Sequence, residues 1–175
     1  MHAIIIALSL LFAADSWAGS QVCAKKSSGK KSDLIMPVDP NEAITGSHGG
    51  KVWLLPDDPP SMEGEALGKW LSSRPNPSEL SKKSNTELWP ATVLVVFKKK
   101  PAKGPLTIQI VDKSEPKVLV DQYSSQTAGA AYLFQETYDI DSNNGFNKGH
   151  TYIFKVGQII KNRFTPYATG EVALK

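Results

Sequence analysis

The chain has 175 residues, enough for one principal domain with some decoration, and its formal charge is a mild +3. A single cysteine, Cys23, excludes an internal disulfide framework, so an exported form of this chain must hold its core by packing alone. Only Arg74 and Arg163 accompany the lysines, which argues against a nucleic-acid groove.

At the N-terminus, Ala3–Phe12 is a short apolar run followed by Asp15-Ser16-Trp17-Ala18. Small residues at Ser16 and Ala18 suit cleavage before Gly19, and the run is too short to cross a bilayer comfortably. Residues 1–18 are therefore expected to be a signal peptide, and the protein to be exported: periplasmic, cell-surface or secreted, in a bacterial cell envelope. The leading Met1-His2 lacks Lys or Arg, so its charge would come from the amino terminus. Ser20-Gln21-Val22 does not resemble a lipobox before Cys23. Membrane association is expected only if Cys23 is lipidated, and a free or intermolecular thiol is the plainer expectation.

Residues 19–50 read as a flexible basic leader. Lys25-Lys26-Ser-Ser-Gly-Lys30-Lys31 and Thr45-Gly-Ser-His48-Gly-Gly50 offer too little apolar surface to offset chain ordering. Leu34–Val38 interrupts the leader, and Pro37 limits it to an edge strand.

Residues 51–85 are expected to form an edge strand and a short helical cover. Lys51–Leu55 is the first strong apolar cluster, stopped by prolines 56, 59 and 60. Beyond Ser61, a candidate cap, Met62, Ala66, Leu67, Trp70 and Leu71 share one helical face. Gly64 and Gly68 weaken that helix, leaving it dependent on packing Trp70 against the strands. Asn76-Pro77-Ser78-Glu79 reads as the opening of one more helical turn.

From residue 86 to 175 the pattern is β. Thr92–Phe97 is almost wholly apolar, as in a strand buried on both faces. Leu106, Ile108 and Ile110 alternate with polar residues, Lys117–Asp121 follows a turn, and Tyr132 to Tyr138 alternates after a small-residue loop. Ala168, Gly170, Val172 and Leu174 share one face near the end. With turns every 8 to 12 residues, this spacing predicts an all-β sandwich.

The best fold clue is Phe146-Asn-Lys-Gly149-His-Thr-Tyr152-Ile-Phe154-Lys-Val156. Tyr152, Phe154 and Val156 fall on one side of an extended chain, and Gly149 stands where the chain turns into it. The spacing resembles the tyrosine corner of immunoglobulin-like and fibronectin type III domains, although Lys148 stands where many of these carry Pro. The resemblance covers at most residues 86–175. It implies an antiparallel β-sandwich in which the Tyr152 ring packs on the core and its hydroxyl bonds upstream backbone. Gly149 and Tyr152 are thus structural residues, and the resemblance implies no activity.

Sequence patterns for chemistry are sparse. The chain lacks H-E-x-x-H, C-x-x-C, G-x-S-x-G and a phosphate-cradling Gly loop. Asp139, Asp141 and Asn143 place alternate oxygens as calcium loops do, but Asn144 stands where such a loop needs Gly and His150 where it needs Glu. The plainer reading is a polar loop with Asn144-Gly145 at positive φ. His48 is expected in the flexible leader and His150 at the surface. Asp57-Asp58 and Glu63-Glu65 read as solubilising charges. The function expected is a non-catalytic binding or structural module engaging an envelope protein or glycan, with no cofactor. The alternatives are a hydrolase with a dispersed site or a calcium-dependent adhesin. Lys98-Lys99-Lys100 serves either to guard a sheet edge or as a docking surface.

Overall fold

The computed structural model describes residues 38–125 and 131–175. The expected signal peptide, Cys23 and Leu34–Pro37 lie outside the described residues, as does most of the loop after Ser125. A 3-10 turn at Pro40–Ile44 leads into α1 (Thr45–His48), β1 (Lys51–Leu55), α2 (Gly64–Ser72) and β2 (Ser78–Leu80). Then come β3 (Leu88–Val96), β4 (Leu106–Asp112), β5 (Leu119–Ser125) and β6 (Leu133–Asp141). A second 3-10 turn, Ser142–Asn144, precedes β7 (Thr151–Ile160) and β8 (Arg163–Leu174).

The protein is mainly β, and its strands form one curled, mixed sheet in the order β5-β4-β7-β8-β1-β3-β6, with β2 also on β8. Two pairings are parallel: β2 runs along Ser78–Leu80 beside Val172–Leu174, and β1 meets β8 at Lys51 and Thr169. The expected purely antiparallel pairing is corrected accordingly. The physical reason is the length of β8. Its twelve residues pair with β7 on one edge and with β1 and β2 on the other, so hydrogen bonds run unbroken across the molecule. Register shifts opposite Ile110/Val111 and Val156/Gly157 leave one extra residue in each partner strand, Val120 in β5 and Tyr167 in β8, which adds twist and helps the sheet curl.

Side-chain alternation then builds the core. Val52, Leu54, Val93, Val95, Ile108, Phe154 and Val172 point into the curl. On the outer face of β1 and β3, Trp53, Leu55, Leu94 and Val96 are covered by Ile44, Leu67 and Leu71. These two strands are buried on both faces, which is why Thr92–Phe97 is apolar at nearly every position. Ala168, Gly170, Val172 and Leu174 all face inward, as their alternation predicts.

Several expectations need correction. Lys51–Leu55 is an interior strand, paired with β3 throughout and with β8 at one end. The leader does not extend to residue 50, because Pro40–His48 is helical and buries Ile44 and His48 beneath α2. Asp39 caps that segment by accepting the Asn41 N–H at 3.1 Å. Residues 78–80 are strand rather than helix, since their backbone pairs with β8. Helix α2 begins at Gly64 without a side-chain cap and is anchored by Leu67 and Leu71, while Trp70 stays half-buried under the Arg74 guanidinium. Gly68 has a packing reason: a Cβ there would meet Ile44 Cγ2 at 2.7 Å, so only glycine lets the two helical segments approach this closely. The described residues form a single compact unit, with no break near residue 86.

Candidate functional site

The corner at the start of β7 ties one end of the sheet together. Tyr152 is fully buried, its ring edge-on to Phe146 at 4.9 Å, and its hydroxyl oxygen accepts the Asn147 N–H at 2.6 Å. Burial raises its pKa above the ordinary phenol value. Gly149 turns the chain into the strand at φ 85°, and its N–H donates to the Leu174 carbonyl at 2.7 Å.

His150 stands beside this corner, half out in solvent, with Nδ1 2.6 Å from Asp112 Oδ2. The Ser114 hydroxyl donates to Asp112 Oδ1 at 2.6 Å. The Ser114 hydrogen bond, followed by that of His150, holds the Asp112 carboxyl below its ordinary range. These residues border an open depression of about 400 Å³ with Lys113, Gly149 and Thr151. A carboxylate orienting an imidazole can support proton transfer. Here, however, the serine donates to the carboxylate, and the order found in nucleophilic triads is not formed.

The calcium candidates Asp139 and Asp141 share one face of β6, opposite buried Ile140. Asp139 pairs with Pro90 of β3. Asp141 Oδ1 accepts both the Asn143 N–H at 2.9 Å and its side-chain amide at 2.8 Å. Gly145 alone carries the positive φ of the following turn, 90°, and Asn144 does not share it. Among the described residues, no three His, Cys, Asp or Glu side chains group together as a metal cage. His48, expected in a flexible stretch, is buried edge-on to Trp53, its Nε2 2.8 Å from the Gly68 carbonyl. Asp58 accepts the Thr92 hydroxyl at 2.7 Å and shares the rim of a depression of about 750 Å³ with Glu63, both residues being exposed.

A different surface stands out at the other end of the sheet. Pairing of β4 with β7 stops at Thr107 and Gly157, while β7 and β8 continue together to Ile160 and Arg163. The last turn of this hairpin is Lys161-Asn162, with φ of 50° and 62°, the two-residue primed type that matches strand twist. Its root is fixed by Gln158, which is buried. Gln158 Nε2 donates to the Ala102 carbonyl at 2.9 Å, and its Oε1 accepts the Tyr167 hydroxyl at 3.2 Å. Ala102 belongs to the lysine turn after β3, so that turn meets the hairpin root there, while the Lys98 side chain lies along Gly49 and Gly50.

Ile159 and Ile160, 53% and 45% exposed, crown this cationic end. The sequence does carry a signal for them. Two adjacent apolar residues in a strand cannot both face the core. No known protein family, curated protein or solved structure matches the chain.

Proposed function

We propose that the protein is a non-catalytic, exported module of the cell envelope that binds an anionic envelope component through the lysine turn and the β7–β8 hairpin. One observation carries this reading: exposed Ile159 and Ile160 stand among cations, in a segment whose root is already ordered by Gln158. From Val96 to Thr107 and again from Val156 to Gly170 the sequence contains no carboxylate. Two segments free of acids and tipped by apolar side chains, with Asp39 paired to Lys100 beside them, favour association with a negatively charged partner. Kinship to immunoglobulin-like and fibronectin type III modules is part of the proposal. It rests on the Tyr152–Asn147 corner. Crosslinking in the intact envelope followed by mass spectrometry tests the function. Adducts at Lys98–Lys103 and Lys161 are expected, whereas recovery of the protein without adducts overturns the reading.

A hydrolase is the second reading, and the Asp112–His150 pair beside its depression favours it. A panel of ester, phosphoester and peptide substrates decides this. Turnover abolished by His150→Gln would establish the enzyme, and its absence across the panel would remove it.

A further inference from the structure

We infer that the component bound at this end is the surface of an anionic lipid bilayer, with the β7–β8 hairpin tip lying in the headgroup layer. The inference rests on the binding-module reading above and names its partner.

Three features select a bilayer over a groove or a glycan. Ile159 and Ile160 are neighbours in an extended strand, so their side chains leave opposite faces of the hairpin. A protein groove would cover one of these faces, and a soluble polysaccharide has no use for either. Immersion of the tip in an interfacial layer covers both. Second, cations accompany the apolar tip: Lys161 and Arg163 flank it, and the turn that carries Lys98, Lys99 and Lys103 meets the hairpin root at Ala102. None of these five makes an ion pair among the described residues, whereas the neighbouring Lys100 is occupied by Asp39 at 3.2 Å. Free cations around a small apolar tip suit anionic headgroups.

Third, the hairpin tip itself is free of acids. Asp112, Glu115, Asp139 and Asp141 lie at the ends of strands or turns remote from the hairpin tip, where β4 finishes, β5 starts and β6 finishes. That remote end also carries lysines, but Lys82, Lys113 and Lys175 are paired there with Glu87, Glu171 and Glu79, so a negative surface favours the end whose cations are unpaired, which orients the molecule before contact. The hairpin root is already fixed by Gln158, so little conformational freedom is lost on binding.

The test is cosedimentation of the full chain with vesicles, either pure phosphatidylcholine or an equal mixture with phosphatidylglycerol. The neutral vesicles register any affinity of the apolar Ala3–Phe12 run by itself. Stronger binding to the mixed vesicles is expected. Lys161→Gln and Arg163→Gln should each weaken it about fivefold. The double variant Ile159→Asn/Ile160→Asn should lower it about tenfold on the area argument. Both changes lie at exposed positions, and unchanged melting curves would verify that the variants fold.

Equal binding by wild type and the isoleucine variant overturns the bilayer inference. A soluble acidic polysaccharide serves as the parallel probe. If it binds with lysine dependence while vesicles do not, the lipid assignment falls and the binding-module reading stands. If neither probe binds and crosslinking yields no adduct, both fall.

Discussion

Tyr123 of β5 and Tyr138 of β6 stack face to face, 4.7 Å between centroids and 4° from parallel, although their strands occupy opposite ends of the hydrogen-bonded order. The curled sheet thus brings its two free edges together, and side chains bridge a seam that backbone pairing leaves open. The Tyr138 hydroxyl donates to Asp121, and its ring lies edge-on to Phe154 at 6.2 Å. On the same seam, the Tyr123 hydroxyl and Glu136 Oε2 are buried without a hydrogen-bond partner among the described residues.

These two phenols should respond in opposite ways to loss of the hydroxyl. Tyr138→Phe removes a bond to a carboxylate and should cost about 1.5–3 kcal/mol. Tyr123→Phe relieves an unpartnered buried group and should be neutral or stabilising by about 1 kcal/mol, with the ring stack kept. Urea denaturation measures both. Equal destabilisation by the two variants would contradict this account of the seam.

The same seam makes stability sensitive to alkali. Burial, then Glu136 and Asp121, push the Tyr123 pKa far above its ordinary value, and burial with the Asp121 hydrogen bond does the same for Tyr138. A folded-state pKa raised above the unfolded one gives stability that is complete below the unfolded value, 10.0, and lost as pH rises beyond it. Denaturation midpoints should therefore fall more steeply above pH 10 for the wild type than for a Tyr123→Phe/Tyr138→Phe double variant. Parallel curves would refute the linkage.

How far the sequence spoke depended on the range of the interaction. Thr92–Phe97 and Ala168–Leu174 declare their burial locally, because alternation or continuous apolarity is a property of neighbours in the chain. The ring of Tyr152 and the turn at Gly149 were legible for the same reason. The interior place of β1, the three-residue β2 and the burial of His48 depend on partners 20 or more residues away, and no local pattern encodes them. The seam was hidden for a further reason: Asp121, Tyr123, Glu136 and Tyr138 look like ordinary polar positions until the sheet curls. Ile159-Ile160, by contrast, broke the strand alternation in plain view.

Gly170 and Gly46 separate close packing from chain freedom. A Cβ at Gly170 would stand 2.1 Å from the Val52 carbonyl oxygen, so alanine there must force β8 and β1 apart. Gly170→Ala should destabilise by about 2–3 kcal/mol, as overpacked cores do. Gly46 lies exposed in α1 with nothing within 4 Å of its added Cβ. Gly46→Ala should stabilise by about 0.5–1 kcal/mol through reduced freedom of the unfolded chain. Thermal melts of the two variants should shift in opposite directions.

The corner makes the sharpest demand on a single atom. The Asn147 N–H has the Tyr152 hydroxyl as its acceptor, and the ring beneath it is buried against Phe146. Tyr152→Phe keeps the ring and the packing but leaves that N–H without its partner, at a cost of about 1 kcal/mol or somewhat more. Amide exchange should quicken at Asn147 while the interior of β3 stays protected, because the loss is local to the turn into β7. Unchanged exchange at Asn147, or uniform acceleration across β3, would show that the hydroxyl is not what holds this corner.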